Sequence, residues 1–256
     1  MPAADFDTLI AEAAAAPVDG WGFSWLDGRA TEERPSWGYA RTLPHRLAPA
    51  DAVLDVQTGG AEVFGEALDR TDPRPRIVAA TEAWPPNRAI AQRRLRPEGG
   101  LVLAIGERDA FPLRTATFDL VTSRHPVATR WDEIARVLRP GGRYFAQHVG
   151  SGSNRELTDF LMGPQPLSGA RSPERAADDA AAAGLEVVDL RAETMRVEFF
   201  DVGAVVWFLR KVIWTVPDFS VDGYREPLRR MHERIAAEGA FVSHSERFLI
   251  EAVRTA

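Results

Sequence analysis

The sequence predicts an α/β protein built on a parallel sheet. From Asp51 onward, short apolar runs alternate with amphipathic segments of helical period, which is the pattern of strand–helix–strand units. The chain has 256 residues, 45% of them hydrophobic, so it can bury a sizeable core within one or two domains. It has no Cys, which excludes a disulfide framework, a thiol nucleophile, an iron–sulfur cluster and Cys-ligated zinc.

The N-terminal part of the chain precedes this alternation. A first helix is expected over 3–16, where apolar residues recur at helical spacing and Pro17 ends the pattern. A loop-rich segment follows and carries Trp21, Trp25, Trp37 and Tyr39. Rings spaced this closely are typical of core packing, and they also cover ligands in some proteins.

The alternating part predicts seven strands with helices between them. The strands are Ala52–Val56, Arg76–Ala80, Leu101–Ile105, Phe118–Ser123, Arg143–Val149, Leu185–Leu190 and Arg247–Val253. The helices are Ala61–Leu68, Asn87–Leu95, Arg130–Leu138, one beginning near Asn154, an Ala-rich one ending at Ala183, and an insertion from Phe199 to about Gly239. Pro140, Gly141 and Gly142 cannot continue a helix, so they should turn the chain into the fifth strand.

Charge and apolar patterning narrow the class of partner. The chain carries 31 Lys and Arg against 37 Asp and Glu, a net charge of −6, which argues against nucleic acid. The N-terminus contains Asp5 and Asp7 and no basic cluster, so no secretory signal is predicted. The longest apolar run, Val202–Leu209, is far below the ~18 residues of a membrane-spanning helix. We therefore expect a cytoplasmic protein with no membrane segment.

The first candidate ligand site is the turn after the first strand of the alternating part. Residues 54–62 read LDVQTGGAE, a strand containing Asp55, then a Gly-containing turn and a helix start. Gly lets a ligand approach the backbone, and free N–H groups at a helix start suit a carboxylate or phosphate. The turn is neither a G-x-G-x-x-G dinucleotide fingerprint nor a P-loop. By itself it is equally compatible with a plain strand–helix connection.

Acidic residues follow the next two strands. Glu82 ends the second strand, at the sequence distance where nucleotide-binding α/β folds place the carboxylate that accepts from ribose hydroxyls. A solvated Glu at a strand end is the alternative interpretation. Asp109 follows the third strand and precedes the strand at Phe118–Ser123.

The order of these motifs resembles the class I S-adenosylmethionine (SAM)-dependent methyltransferases, of the small-molecule type called methyltransferase type 11 or UbiE-like. The resemblance covers roughly 51–149, and it rests on LDVQTGGAE at 54–62, Glu82, Asp109-Ala110, FDLV at 118–121 and RVLRPGG at 136–142. It implies a Rossmann-like, doubly wound sheet of seven strands with an antiparallel last strand. It further implies SAM as the cofactor, no metal, and a small-molecule methyl acceptor.

The resemblance also implies how the segments and residues are used. A single domain would contain an N-terminal helical lid over 1–50, a SAM-binding core over 51–198, a helical cap over 199–239 and a closing strand over 240–256. The implied SAM contacts are Asp55, Gln57, Thr58 and Gly59 for the methionine and ribose, Glu82 for the ribose hydroxyls, Asp109 and Ala110 for the adenine edge, Ala83 and Trp84 for the adenine face, and Arg124 and His125 beside the sulfonium. The family usually has Gly in place of Gln57, whose side chain could narrow the space beside SAM or donate a new hydrogen bond.

The insertion carries two helical stripes. Asp201 should cap a helix with an aliphatic stripe of Val202, Val205, Val206, Leu209 and Ile213. The neighbouring stripe of Trp207, Arg210 and Trp214 is a candidate wall of the acceptor pocket, because aromatic walls with one charge are typical of small-ligand sites. On that interpretation Arg210 would favour an anionic acceptor. Aromatic packing with Arg210 paired to a carboxylate such as Asp218 is the alternative.

His125 and His148 both follow or end strands, where ligand sites of open α/β sheets lie. Each is a candidate general base near neutral pH, and a structural role is the alternative for each. The sequence contains no G-x-S-x-G and no H-E-x-x-H motif, which disfavours a serine hydrolase and a zinc protease.

Three functions therefore remain at the level of sequence. The first is a SAM-dependent transfer of a methyl group to a small molecule. The second is methylation of RNA by the same fold, against which the acidic balance stands. The third is a non-catalytic SAM-binding protein, which only Gln57 suggests. The acceptor, the methylated atom, the use of a base and the oligomeric state are left open by the sequence.

Overall fold

A computed structural model describes residues 5–18, 22–166 and 169–255. Residues 3 and 4 of the predicted first helix and Trp21 lie outside the described residues. The chain divides into two compact units of three segments each. The helical unit consists of Met1–Arg34, Gly152–Ser168 and Thr194–Glu246, and the sheet unit consists of Pro35–Ser151, Gly169–Glu193 and Arg247–Ala256. The assignment of the 1–50, 51–198, 199–239 and 240–256 segments to a lid, core, cap and closing strand stays a prediction.

The elements follow the predicted alternation. The helices are α1 (Phe6–Ala15), α2 (Tyr39–Leu47), α3 (Glu62–Asp69), α4 (Pro85–Leu95), α5 (Trp131–Val137), α6 (Arg155–Met162), α7 (Pro173–Ala182), α8 (Val202–Lys211) and α9 (Arg225–Glu238). The strands are β1 (Ala30–Glu32), β2 (Ala52–Val56), β3 (Ile77–Thr81), β4 (Leu101–Leu103), β5 (Phe118–Arg124), β6 (Leu138–Val149), β7 (Leu185–Phe199) and β8 (Phe241–Arg254). All seven predicted strands are present. β1 and α2 are additions, and α2 corrects the expectation that the segment before the first predicted strand is only loop.

The strands form a sheet in the order β1-β7-β8-β6-β5-β2-β3-β4. From β2 the chain winds outward through β3 and β4 as parallel neighbours, and it then returns to the other side of β2 for β5 and β6, also parallel. β8 runs antiparallel to β6, with Arg143 opposite Val253 and Val149 opposite Arg247. The predicted doubly wound sheet with an antiparallel last strand is therefore confirmed.

The sheet unit buries its central strands on both faces. Along β2, Ala52, Leu54 and Val56 join one hydrophobic cluster, while Val53 joins the other. Successive side chains of a strand point to opposite faces, and parallel strands covered by helices are apolar on both. This explains why the predicted strands are continuous apolar runs.

The helical unit has its own core, in which α1 packs on α8. Leu9 of α1 and Val205 of α8 are both buried in it. Gly203 permits the close approach, because a Cβ at this position would lie 2.9 Å from the Leu9 carbonyl oxygen. Asp201 caps α8 as predicted, since its Oδ1 accepts from the Ala204 N–H over 2.8 Å.

The stripes predicted along the insertion end earlier than expected. Because α8 ends at Lys211, Ile213 and Trp214 lie beyond the helix, with 65% and 55% of their surface exposed. Their placement on helical stripes was wrong. The remaining aliphatic positions, Val202, Val205, Val206 and Leu209, are buried as predicted.

The RVLRPGG sequence forms a bulge rather than a turn before the strand. β6 already begins at Leu138, which pairs with Phe118, and the register then shifts so that Arg143 pairs with Leu120. The residues between them are accommodated by a bulge. Gly142 is required there, because a Cβ would lie 2.8 Å from the Arg139 carbonyl oxygen.

Candidate active site

The candidate site lies in the sheet unit, where the strand order reverses between β2 and β5. Parallel strands end at the same edge, and ligands of open α/β sheets bind at the carboxyl ends of the strands beside such a reversal. At this edge β2 ends at Val56, β3 at Thr81 and β5 at Arg124. The residues directly after these strands are the ones that the sequence analysis selected.

The turn after β2 is tied to β3 by its backbone. Gln57 has a left-handed φ of 57°, and its N–H donates to the Thr81 hydroxyl over 2.9 Å. The next N–H, that of Thr58, donates to the Thr81 carbonyl over 2.9 Å. Gly59 also has a positive φ of 62°, a conformation that Gly adopts without strain.

Glu82 joins the turn after β2 to the start of α4. Its carboxylate accepts from the Gly59 N–H over 2.9 Å and from the Trp84 N–H over 2.8 Å. Only 9% of Glu82 is exposed, and this burial raises its pKa, while the two backbone hydrogen bonds oppose the rise. Glu82 is thus a fixed carboxylate at the carboxyl edge of β3 rather than a solvated side chain. Ala83 follows it in partial burial, and Trp84 is about half exposed.

Asp55 lies buried under the same turn. It accepts a hydrogen bond from the Thr122 hydroxyl over 2.6 Å, and burial raises its pKa to about 6. The neighbouring Tyr39 hydroxyl, whose pKa is raised by burial and by the Asp55 charge, is buried without a hydrogen-bond partner among the described residues. Tyr39 stacks on Phe145 with ring centroids 5.1 Å apart. Sequence reasoning gave Tyr39 no role in this site.

Asp109 and Ala110 are exposed after β4. The Asp109 carboxylate accepts from the Gly106 N–H over 3.0 Å and closes a short turn. The segment that follows is anchored by the RVLRPGG sequence, since Arg136 donates to the Phe111 carbonyl over 2.9 Å and to the Leu113 carbonyl over 2.7 Å. The position of the predicted adenine loop therefore depends on Arg136, a residue for which sequence reasoning gave no role.

The Gln57 side chain forms hydrogen bonds to the protein backbone, in the loop that follows β5. Its Nε2 donates to the Ala128 carbonyl over 2.6 Å, and its Oε1 accepts from the Val127 N–H over 2.7 Å. The side-chain amide thus clamps the loop that follows β5.

His125 begins this clamped loop and is held by β6. Its φ is 59°, its N–H donates to the Gln147 carbonyl over 2.7 Å, and its Nε2 lies 2.8 Å from the Gln147 Nε2. Burial, with the positive charges of Arg124 and Arg247, holds its pKa well below the usual range. Arg124 itself is exposed.

His148 lies in an aromatic cluster of the sheet unit. It stacks on Phe248 with centroids 4.8 Å apart, its Nε2 is 3.2 Å from the Tyr144 hydroxyl, and burial lowers its pKa to about 3. Both histidines are therefore neutral near pH 7, and neither has surroundings that tune it to the pKa of an efficient general base. Their role as bases stays a prediction.

Arg210 and Trp207 have partners within the helical unit. Arg210 Nη1 donates to the Ala13 carbonyl and, over 2.9 Å, to the Ala16 carbonyl at the end of α1. Trp207 is 2% exposed, and its Nε1 donates to the Pro17 carbonyl over 2.9 Å. These contacts agree with the alternative in which both side chains pack within the protein. The partners of Arg210 are backbone carbonyls, where that alternative expected a carboxylate. The role of Trp207, Arg210 and Trp214 as substrate contacts stays a prediction.

Within the described ranges no group of three or more His, Asp or Glu side chains is placed to hold a metal ion. No helix in the described part of the chain is long and apolar enough to cross a bilayer.

Solved structures with the same fold are similar to this chain at low sequence identity. A candidate methyltransferase from Bacillus halodurans is 17% identical, with a TM-score of 0.60 over 85% of this chain and 99% of that chain. A phosphoethanolamine N-methyltransferase from Haemonchus contortus, solved with phosphomonomethylethanolamine and S-adenosylhomocysteine, is 16% identical, with a TM-score of 0.51 over 86% of this chain and 53% of that chain. The (4+2)-cyclase SpnF is 16% identical, with a TM-score of 0.53 over 97% and 93% of the two chains. At these identities the likeness shows the fold alone.

A family model adds evidence from the sequence. Residues 54–146 match the model of a methyltransferase domain, and this range contains the turn after β2, Glu82, Asp109 and His125. The fold and the match together define the class as the SAM-dependent methyltransferases, and the resemblance is confirmed. Residues 54–146 are thus similar to the methyltransferase domain family over about a third of the chain. A comparison with curated proteins gives no match.

Proposed function

We propose that this protein transfers a methyl group from SAM to a small-molecule acceptor, with SAM held at the carboxyl edge of β2, β3 and β4. The observation that carries the proposal is the position of Glu82. A buried carboxylate held by the Gly59 and Trp84 N–H groups is fixed in place next to the reversal of strand order. A carboxylate has lone pairs for more than two donors, so it can also accept from ribose hydroxyls.

The remaining groups at this edge fit the other parts of SAM. Asp55 supplies a negative charge that suits the α-ammonium group, and the unpartnered Tyr39 hydroxyl beside it offers a further hydrogen-bonding atom. The exposed Asp109 and Ala110 would take the adenine edge, and Trp84 its face. Arg124 and His125 would lie beside the sulfonium. Bound in this way, SAM supplies an electrophilic methyl group.

The chain's own contribution is mainly positional. Methyl transfer needs the nucleophile and the methyl carbon aligned in a dry site, and it needs a base only when the nucleophile must lose a proton. The turn after β2 and the loop after β5 are tied together by the Gln57 clamp. Because the clamp spans the place where the strand order reverses, it fixes the two segments between which a ligand would bind.

A small acceptor is supported by charge and by the neighbours. The net charge of −6 disfavours RNA, whose phosphates attract basic surfaces. Neighbours of the same fold were solved with phosphomonomethylethanolamine and with geranyl diphosphate, both small phosphorylated molecules. These ligands belong to those proteins, and the acceptor of this chain is proposed only as a small molecule.

The test must separate SAM binding from methyl transfer, because SpnF shows that this fold also occurs in a cyclase. Isothermal titration with SAM and with S-adenosylhomocysteine measures binding. We expect both to bind in the micromolar range, and no binding at high micromolar concentration would overturn the proposal.

A screen of small acceptors by mass spectrometry then measures transfer. Binding without turnover of any acceptor would favour the non-catalytic alternative, and strong, salt-dependent RNA binding would favour the RNA methyltransferase.

A further inference from the structure

A chain of three side chains in the sheet unit ends at His125. The Trp37 indole Nε1 donates to Gln147 Oε1 over 2.7 Å, and Gln147 Nε2 lies 2.8 Å from His125 Nε2. Trp37 and Gln147 are 6% and 5% exposed, so bulk water does not compete for these contacts. The three residues come from the segment before α2, from β6 and from the loop after β5.

The chemistry of the groups fixes the direction of each hydrogen bond. An indole N–H can only donate, so the Gln147 atom that faces it must be the carbonyl oxygen. The other end of the amide is then its NH₂ group, which also donates. His125 Nε2 must therefore accept, and an imidazole nitrogen accepts only when it carries no proton.

We propose that Gln147, oriented by Trp37, is a positioning residue that keeps His125 in the neutral tautomer with its proton on Nδ1. In this tautomer His125 presents an N–H donor at the carboxyl edge of β5. Its Nε2 lone pair is engaged by the Gln147 amide, so it is not available to remove a proton from a substrate.

The surroundings of His125 favour the same state. The groups that face it electrostatically are Arg124, Arg247 and His148, none of which is negative. Protonation of Nε2 would also set its N–H against the Gln147 NH₂ group. The backbone is fixed as well, because the His125 N–H donates to the Gln147 carbonyl and φ is held at 59°. Such strained positions are found preferentially at functional sites.

The functional consequence rests on the proposed methyl transfer. A donor beside the reacting centre orients an acceptor molecule through an oxygen lone pair, such as that of a carbonyl, carboxylate or phosphate group. His125 would then bind and orient the acceptor molecule, and any base for the reaction would come from elsewhere.

The tautomer is measured directly by nuclear magnetic resonance on the full chain with ¹⁵N-labelled His. At pH 7 we expect His125 to show a protonated, pyrrole-type Nδ1 and an unprotonated, pyridine-type Nε2. An Nε2–H tautomer, or a doubly protonated ring, would overturn the proposal without any variant being needed. His148 serves as the internal reference for a buried neutral ring.

Gln147→Glu tests the cause of the tautomer. The carboxylate retains an acceptor for Trp37 and replaces the donor facing His125 by an acceptor, so the proton should move to Nε2 and the pKa of His125 should rise. An unchanged tautomer in a folded Gln147→Glu variant would show that Gln147 does not set it. Trp37→Phe frees the amide to rotate, and we expect a mixture of tautomers.

Two variants of His125 test its role in the reaction. Asn can place an N–H near the position of Nδ1 and tolerates a left-handed φ, whereas Ala offers no donor. We expect His125→Ala to raise KM for the acceptor about fivefold to tenfold and His125→Asn to restore most of this loss. The dissociation constant of SAM is measured in parallel, so that KM for the acceptor is compared at saturating SAM in each variant. Equal KM values for both variants and the wild type would overturn the donor role, while absent SAM binding in the wild type would instead contradict the proposed function.

Discussion

The Thr122 hydroxyl donates to the Asp55 carboxylate over 2.6 Å and so joins β5 to β2 where the strand order reverses. This hydrogen bond opposes the effect of burial, which nevertheless raises the pKa of Asp55 from 3.8 to about 6. The folded protein therefore holds this proton more tightly than the unfolded chain does. The corresponding stabilisation is fully present below about pH 4 and is lost as the pH rises through about 6.

The first prediction follows from this loss of stability with rising pH. Between pH 4 and pH 7, the free energy of unfolding of the wild type should fall relative to that of Asp55→Asn by about 2 kcal/mol. Denaturant titrations of both proteins at several pH values measure the difference. A difference that stays constant with pH would mean that folding does not raise the pKa of Asp55.

Glu82→Ala should weaken SAM binding tenfold or more. A charged acceptor contributes roughly 1.5–3 kcal/mol for each hydrogen bond it makes, and Glu82 is expected to serve two ribose hydroxyls. Isothermal titration measures the change. Glu107→Ala is the matched control, because this exposed neighbour carries the same charge and raises the pKa of Glu82. If Glu82→Ala leaves the dissociation constant unchanged, the ribose is held elsewhere.

Two replacements of Gln57 should distinguish the cost of its left-handed backbone conformation from the contribution of its side-chain hydrogen bonds to stability. Gln57→Gly and Gln57→Ala both remove the hydrogen bonds to Val127 and Ala128, but only Gly relieves the strain at a φ of 57°. The Gly variant should therefore be more stable than the Ala variant by about 1 kcal/mol.

Hydrogen exchange in the same two variants measures whether the Gln57 side chain holds the loop after β5. The Val127 amide should lose protection in both, while the Thr58 amide, which donates to the Thr81 carbonyl, should keep its protection. Unchanged protection at Val127 would show that the clamp does not hold the loop after β5.

Arg210→Ala should destabilise the protein by about 2 kcal/mol, because a charged donor to two carbonyls is removed from the end of α1. Cations at helix C-termini are also favoured by the helix dipole. Thermal unfolding measures the loss, and Arg210→Lys, which keeps the charge, should recover part of it. A variant that melts like the wild type but loses acceptor turnover would instead support the pocket interpretation of Arg210.

The part of the site that the sequence predicted consists of local signals. A strand, a Gly-containing turn and an acidic strand end are each visible within a few residues, and their order places them at one edge of the sheet. Glu82 is an example, because its position after an apolar run already located it at the carboxyl end of β3. The structure added its two backbone donors.

The residues that sequence reasoning missed act through contacts with residues distant in the sequence or lie in an unpredicted helix. Tyr39 begins α2, whose buried positions Tyr39, Leu43 and Leu47 have helical spacing, in a segment that the sequence analysis expected to be loop-rich. The Gln147 contacts join residues 22 and 110 positions apart in sequence, which no local pattern shows. Arg210 binds backbone carbonyls, and these are present at every position of a sequence.

The two units are interleaved along the chain, and this affects how the protein can be made and cut. Each unit needs three separate segments, and the boundaries at Thr194 and Arg247 fall within β7 and β8. No single stop position in the coding sequence yields either unit by itself, and one protease cut between segments leaves other connections intact. During synthesis the last segment of the helical unit ends only at Glu246 and that of the sheet unit only at Ala256, so both units receive their last segment at the same late stage.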